Sequence, residues 1–338
     1  MECCHPDPDP ARTRRAAAGV NWPGFVDVVE RHRIAGLAAR ALAGIVPERW
    51  AAELANRARR DAAANLRAAA ACAELEWRLE AAGVRRLYLK GLTLSVLAYG
   101  SSSIKASADI DILVAPDDIA AAAGVLVEAG FALADPAGVP LDRLGEWHRQ
   151  HKETNWVRGA DRVAVDLHSR LADSLALLRL GVDAPAQSVA VGTGIVLPTL
   201  CADLLPAYLA VHGASSGWFR LKWIADFTAL CWGRDAGELE RDAAALGAER
   251  PMAQALLLAN ALFGRFGDRR EALLADRAHR RLLALALGAI GGGEPTARRF
   301  GTVAIHRNQL LMKAGPRFVA GEALRQLRAA WSNRTGRG

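Results

Sequence analysis

The chain of 338 residues is half hydrophobic and 23% charged, which excludes a wholly disordered chain and allows one large domain or two modest ones. It holds no uncharged apolar run of the ~18 residues that a bilayer crossing needs, so no membrane partner is expected. Lys and Arg outnumber Asp and Glu by 43 to 36, a formal net charge of +7, which favours an anionic partner such as a nucleotide, nucleic acid or acidic peptide.

Residues 1–20 read as a flexible arm, because MECCHPDPDPARTRR has neither a helical period nor the apolar stretch of a secretory signal. Cys3, Cys4 and His5 lack a second metal half-site and read as a loose terminus with exposed thiols. An odd total of five cysteines fits a reducing compartment better than a disulfide framework, so a cytoplasmic location is expected. Two helical stretches follow, at 23–43 and 47–82, and make residues 21–83 an N-terminal helical segment. The second is long and Ala-rich and ends at a Gly stop signal, Gly83.

The pattern changes at residue 84. VRRLYLKG (84–91) reads as a strand running into a Gly turn, LTLSVLAYG (92–100) as a short helix and SSSIKASA (101–108) as a polar loop. DIDILV (109–114) reads as a strand and PDDIAAAAGVLVEAG (116–130) as a helix, with Asp117 and Asp118 complementing its dipole. HKETNWV (151–157) and RVAVDLHSRL (162–171) read as strands joined by a hairpin turn at GAD. His148 and His151 just ahead of them read as a polar surface or a phosphate-side contact. From about Pro198 the sequence reads as helices, at 198–232, 235–247, 251–266, 271–288 and 316–331, with GAIGGGEPT (288–296) as a linker. The expected fold class is α+β: a small mixed β-sheet core at 84–197, flanked by the N-terminal helices and a C-terminal helical bundle at 198–338.

SADIDILVAP carries the sharpest local signal. Residues two apart on a strand share a face, so Asp109 and Asp111 project together while Ile110 and Ile112 enter the core. Paired carboxylates repel unless a cation lies between them, and Mg2+ prefers such oxygen ligands. The same alternation in Val163-Ala164-Val165-Asp166-Leu167-His168 sets Asp166 and His168 on one face. Asp166 would complete a site for two metal ions or accept a hydroxyl proton, and His168 reads as a hydrogen-bond partner beside it. Leu89-Lys90-Gly91 forms a strand-to-helix turn that presents backbone N–H groups, which suits phosphate.

Strand-Gly-helix, then Asp-x-Asp on a strand, then a later strand Asp resembles the DNA polymerase β-like nucleotidyltransferase superfamily. Within it the chain is similar to a bacterial nucleotidyltransferase family with a KG turn, a DIDLLV-type strand and an (Asp/Glu)-Leu-His strand. His212-Gly213, Trp218, Arg220-Leu221, Trp223 and Asp226 resemble that family's helical part. The resemblance spans residues 20–235. It implies transfer of a nucleoside monophosphate from an NTP to an acceptor, with Mg2+ as two ions. Asp109 and Asp111 would then bind metal, Asp166 would bind metal or act as base, and the Gly91 turn would hold the triphosphate.

Two positions depart from the pattern. Leu92 follows Gly91 where many superfamily members have Ser, which leaves Thr93 or Ser95 to supply the hydroxyl, and Lys105 stands where Arg is common. Four of the five lysines, Lys90, Lys105, Lys152 and Lys222, fall within the matched blocks, and Lys90 and Lys105 are expected on phosphate. Lys222 and Asp226 lie four apart on a helix and read as a surface ion pair. The acceptor is a small molecule, a peptide or protein, or an RNA such as tRNA. The rival readings are a non-catalytic nucleotide- or peptide-binding module that retains the fold, and a helical scaffold for a partner protein.

Overall fold

The computed structural model describes residues 1–107, 109–295 and 301–335. Ala108, at the end of the loop expected at 101–108, and Thr296, at the end of the expected linker, lie outside the described residues. The chain divides into two compact units. One comprises Met1–Asp173 with Arg179–Leu205, and the other Ser174–Leu178 with the residues from Pro206 onward.

The first unit begins with helices α1 (Pro10–Ala17), α2 (Trp22–His32), α3 (Ala35–Ala41) and α4 (Glu48–Ala81). Residues 10–17 thus form a helix where an arm was expected, with Asp9 capping it through the N–H of Ala11. Cys3 and Cys4 are buried rather than exposed, in a short turn that contacts α1 and α3. A thiol behaves as a small hydrophobe and is stable there. The expected 23–43 helix breaks at Arg33, whose left-handed backbone ends α2.

Five strands form the main sheet: β1 (Arg86–Tyr88), β2 (Ile110–Val114), β3 (Ala132–Asp135), β4 (Glu153–Arg158) and β5 (Val163–His168), in the order β1-β2-β5-β4-β3. The β2–β5 pair is parallel and the other three pairs are antiparallel. Helices α5 (Leu92–Tyr99), α6 (Ile119–Glu128) and α7 (Leu144–Gln150) connect them. The sequence pattern foresaw β1, β2, β4, β5, α5 and α6, but not β3. Ile110, Ile112, Val165 and Leu167 point to one side of the sheet, where they share a core with Ala69, Cys72, Leu75 and Leu79 of α4 and with Leu126 of α6. These α4 positions recur every three or four residues, the period of one helix face. Asp111, Asp166 and His168 alternate with the core residues and therefore emerge on the opposite side.

A hairpin of β6 (Ala186–Gly192) and β7 (Ile195–Leu200) packs near β1, α4 and α5. Residues 195–200 are therefore a strand and not the start of a helix. Pro198 fits because both strands of a two-stranded sheet are edges, with one backbone side free of the ladder.

The second unit holds α8 (Leu205–Ser215), α9 (Leu221–Leu230), α10 (Ala236–Ala245), α11 (Glu249–Phe263), α12 (Arg270–Ala275), α13 (Arg277–Gly291), α14 (Val303–Leu311) and α15 (Pro316–Thr335). The expected 271–288 helix is two, divided at Asp276, which caps α13 through the N–H of Ala278. Helix α11 is buried along most of its length and forms the centre of this unit. Among the described residues no helix is long and apolar enough to cross a membrane.

Candidate active site

Pairing of β2 with β5 sets Asp111 directly beside Asp166 and Leu113 beside His168. In a parallel pair, partners in register project to the same side. One donor atom each of Asp111, Asp166 and His168 lies within 4.8 Å of the others. Asp111 is 3% exposed. Lys90 Nζ donates to its Oδ1 at 2.8 Å, and His168 Nε2 lies 3.0 Å from the same oxygen. Its second oxygen, Oδ2, is buried and has no hydrogen-bond partner. Lys90 reaches this point because β1 runs against β2, with the N–H of Leu89 bonded to the carbonyl of Asp111.

Strand β4 supplies two residues that sequence reasoning missed. Asn155 pairs with Asp166 across the ladder, and its Nδ2 donates to Asp166 Oδ1 at 2.7 Å. Glu153 pairs with His168, and its Oε2 lies 3.2 Å from His168 Nδ1. Lys152 bonds the same carboxylate oxygen of Glu153. Counting outward from GAD alone would set residue 154 against 166; the turn instead closes over four residues, 159–162, with Arg158 opposite Val163, and this register sets 155 against 166 and 153 against 168.

The carboxylates differ in electrostatic state. Burial acts to raise the Asp111 carboxyl, but Lys90 and His168 outweigh it and hold the group well below the usual carboxylate range. Among the described residues no ammonium is paired with Asp166. Burial first, and then the charges of Asp109 and Asp111, push it up to about 7 against the pull of Asn155. Asp109 stands one residue ahead of β2 and is half-buried, and it lies outside the group whose donor atoms converge. Oxygen donors with one orphaned buried oxygen suit a hard divalent cation, so the residues present fit Mg2+.

Gly91 makes the turn into α5 with φ +64 and ψ −121, a region reserved for glycine. A Cβ there would stand 2.8 Å from Ser107 Oγ. This ties the Gly91 turn to the 101–107 loop. A family described as uncharacterised nucleotidyltransferase matches residues 18–264. The chain belongs to this nucleotidyltransferase family. No curated protein matches the chain.

The nucleotidyltransferase match spans the Gly91 turn, Asp109, Asp111, Asp166 and His168, and runs on through the His212–Asp226 segment. The two expected hydroxyls are both bonded to backbone carbonyls, and Thr93 lines the small cleft with Lys90, Gly91 and Asp111. Thr93 is 1% exposed and donates to the carbonyl of Lys90 at 3.1 Å. Ser95 is fully buried and donates to the carbonyl of Ser101 at 2.6 Å. Both hydroxyls are spent on backbone, because α5 turns this face inward. The hydroxyl beside Gly91 is that of Ser107, which donates to the carbonyl of Asp109 at 2.9 Å. Lys105 is buried, and its carbonyl accepts from Asn65 Nδ2.

His148 is also buried and not on the surface. It lies between Ser169 Oγ at 3.0 Å and Thr154 Oγ1 at 3.3 Å, and burial with nearby His168 lowers it to about 4. His151 stacks on Trp147. In the helical unit Lys222 and Asp226 are buried, which corrects their reading as a surface pair. Gly213 and Trp218 have a structural cause: the Trp218 ring crosses so close to Gly213 that a Cβ there would meet it at 2.4 Å. Trp218 Nε1 donates to Gln254 Oε1, inside a buried network that includes Asn308.

Proposed function

We propose that the chain transfers a nucleoside monophosphate from an NTP to a hydroxyl acceptor with Mg2+ bound at Asp109, Asp111 and Asp166, on a polymerase β-like core. The observation that carries this reading is the in-register Asp111–Asp166 pair with a buried oxygen left without a hydrogen-bond partner. Bound Mg2+ would neutralise triphosphate charge and make the acceptor hydroxyl a better nucleophile.

Each side chain then has a defined task. His168 fixes the orientation of Asp111, and Glu153 stands behind His168. Asn155 fixes Asp166, which would serve as a cation ligand or as the base that accepts the hydroxyl proton. Lys90 compensates Asp111 in the resting state, and it moves to phosphate when cation and nucleotide enter. The Gly91 turn admits the triphosphate to backbone N–H groups. The acceptor class is a small molecule, a peptide or protein side chain, or an RNA end.

A nucleotide-binding module without turnover is the second reading, favoured by Leu92 in place of Ser and by the inward hydroxyls of Thr93 and Ser95. Calorimetry with each NTP, with and without Mg2+, tests the main reading on wild type and the Asp109→Asn/Asp111→Asn double variant. Binding that needs Mg2+ and disappears in the variant is expected. Absence of NTP binding in wild type under every condition overturns it. Pyrophosphate release then separates an enzyme from a binding module.

A further inference from the structure

A cavity of about 340 Å³ lies beside the candidate site, lined by Arg33, Arg57, Arg60, Glu30, Asp61 and Ser107 among others. It is bounded by the end of α2, the middle of α4 and the loop that precedes β2. We propose that this cavity binds the polyphosphate end of the nucleotide, an inference that rests on the nucleotidyltransferase reading.

Continuity with the reaction centre comes first. Ser107 lines this cavity and also the small cleft shared by Lys90, Gly91, Asp109 and Asp111. Its hydroxyl is bonded to the Asp109 carbonyl and faces the Gly91 turn. The position of Ser107 is fixed from behind by Asn65, which is 2% exposed. Asn65 Nδ2 donates to the carbonyls of Ser102 and Lys105, both at 2.8 Å, and its Oδ1 accepts from the N–H of Ser107 at 3.2 Å. Helix α4 thus carries both the pin for the loop and, one to two turns earlier, two of the cavity's arginines.

Charge comes second. Within the centre, Lys152 is bonded to Glu153, and Lys90, bonded to Asp111 at rest, is a single ammonium for the phosphates once a cation takes its place. A triphosphate placed at the Gly91 turn needs cations for its far end. Arg57 is bracketed by Glu30 and Glu53, which orients it and offsets its charge, and Asp61 adds another carboxylate to the lining, so the phosphate-binding charge rests on Arg33 and Arg60. Arg33 and Arg60 are exposed and form no ion pair among the described residues. Arg33 is held in a left-handed backbone conformation, φ 54, that a bulky residue seldom adopts. Guanidinium forks match phosphate oxygens in geometry as well as charge. Among the described residues no aromatic ring lines the cavity, and its arginines offer forks for phosphate oxygens.

Calorimetry with Mg2+ and three probes, an NTP, inorganic pyrophosphate and the matching NMP, tests this on the full chain. The variants are Arg33→Ala/Arg60→Ala and, as a control, Arg59→Ala, an exposed neighbour that does not line the cavity. Equal melting temperatures show that the variants fold. The double variant is expected to bind NTP and pyrophosphate about tenfold or more weakly, with NMP binding unchanged and the control like wild type. Unchanged NTP and pyrophosphate binding overturns the inference and leaves the proposed function standing. Loss of pyrophosphate binding with NTP binding intact also overturns it, and assigns the cavity to a phosphorylated acceptor. If wild type binds neither NTP nor pyrophosphate, the proposed function falls and the inference with it.

Discussion

Asp111 and Asp166 stand side by side, but one is held ionised by Lys90 and the other retains its proton to about pH 7. Substitution should therefore separate them. Asp111→Asn leaves the part-buried Lys90 ammonium facing an amide, and a loss of stability of up to about 3 kcal/mol is expected. Asp166→Asn removes a carboxyl that is already strained by its neighbours, and its stability should equal or exceed wild type above pH 7. Chemical denaturation without metal checks both. The pH dependence has a definite sign. The folded Asp166 pKa lies above the unfolded value of about 3.9, so the folded state binds the extra proton between the two. Stability contributed by this group is then lost as pH rises toward about 7, and Asp166→Asn should flatten that part of the curve. A cation must displace the same proton, so cation affinity should rise through this window.

At the scale of elements, strand alternation made much of the site legible. Period two is a local property, and it set Asp166 with His168 and the isoleucines of β2 in the core without any tertiary knowledge. It did not reveal Glu153 and Asn155, because their roles come from cross-strand register. Nor did it reveal that Thr93 and Ser95 face inward, since α5 is apolar nearly all round and its sequence does not mark an exposed face. The β6–β7 hairpin was hidden by Pro198, which reads as a helix start when the pairing partner is unknown. Two glycines test the element-level account by equilibrium denaturation. Gly91→Ala forces a Cβ into a glycine-only conformation against Ser107, and a loss of about 1–3 kcal/mol is expected, with weakened NTP binding. Gly213→Ala drives a methyl into the Trp218 ring and should cost about 1–3 kcal/mol. Unchanged stability of either variant contradicts the packing described.

For the whole molecule, the α+β class and most helices followed from composition and period, and the family match extends across residues 18–264. The net charge of +7 belongs to this scale as well, because it accords with an anionic substrate without choosing one. Ligand linkage provides a global test. NTP with Mg2+ at about one hundred times its dissociation constant should stabilise the fold by about 2.7 kcal/mol. Chelation of the metal should return the melting temperature to that of the free protein, and no response to chelator contradicts metal-dependent binding.

The carboxylate cluster as a cation site is the central claim, and paramagnetic resonance of Mn2+, a stand-in for Mg2+, measures it most directly. Without nucleotide, which itself chelates Mn2+, wild type should deplete the free Mn2+ signal, and Asp111→Asn and Asp166→Asn should each restore it while remaining folded. A free Mn2+ signal that wild type leaves untouched, or that both variants deplete as fully as wild type, would contradict the account.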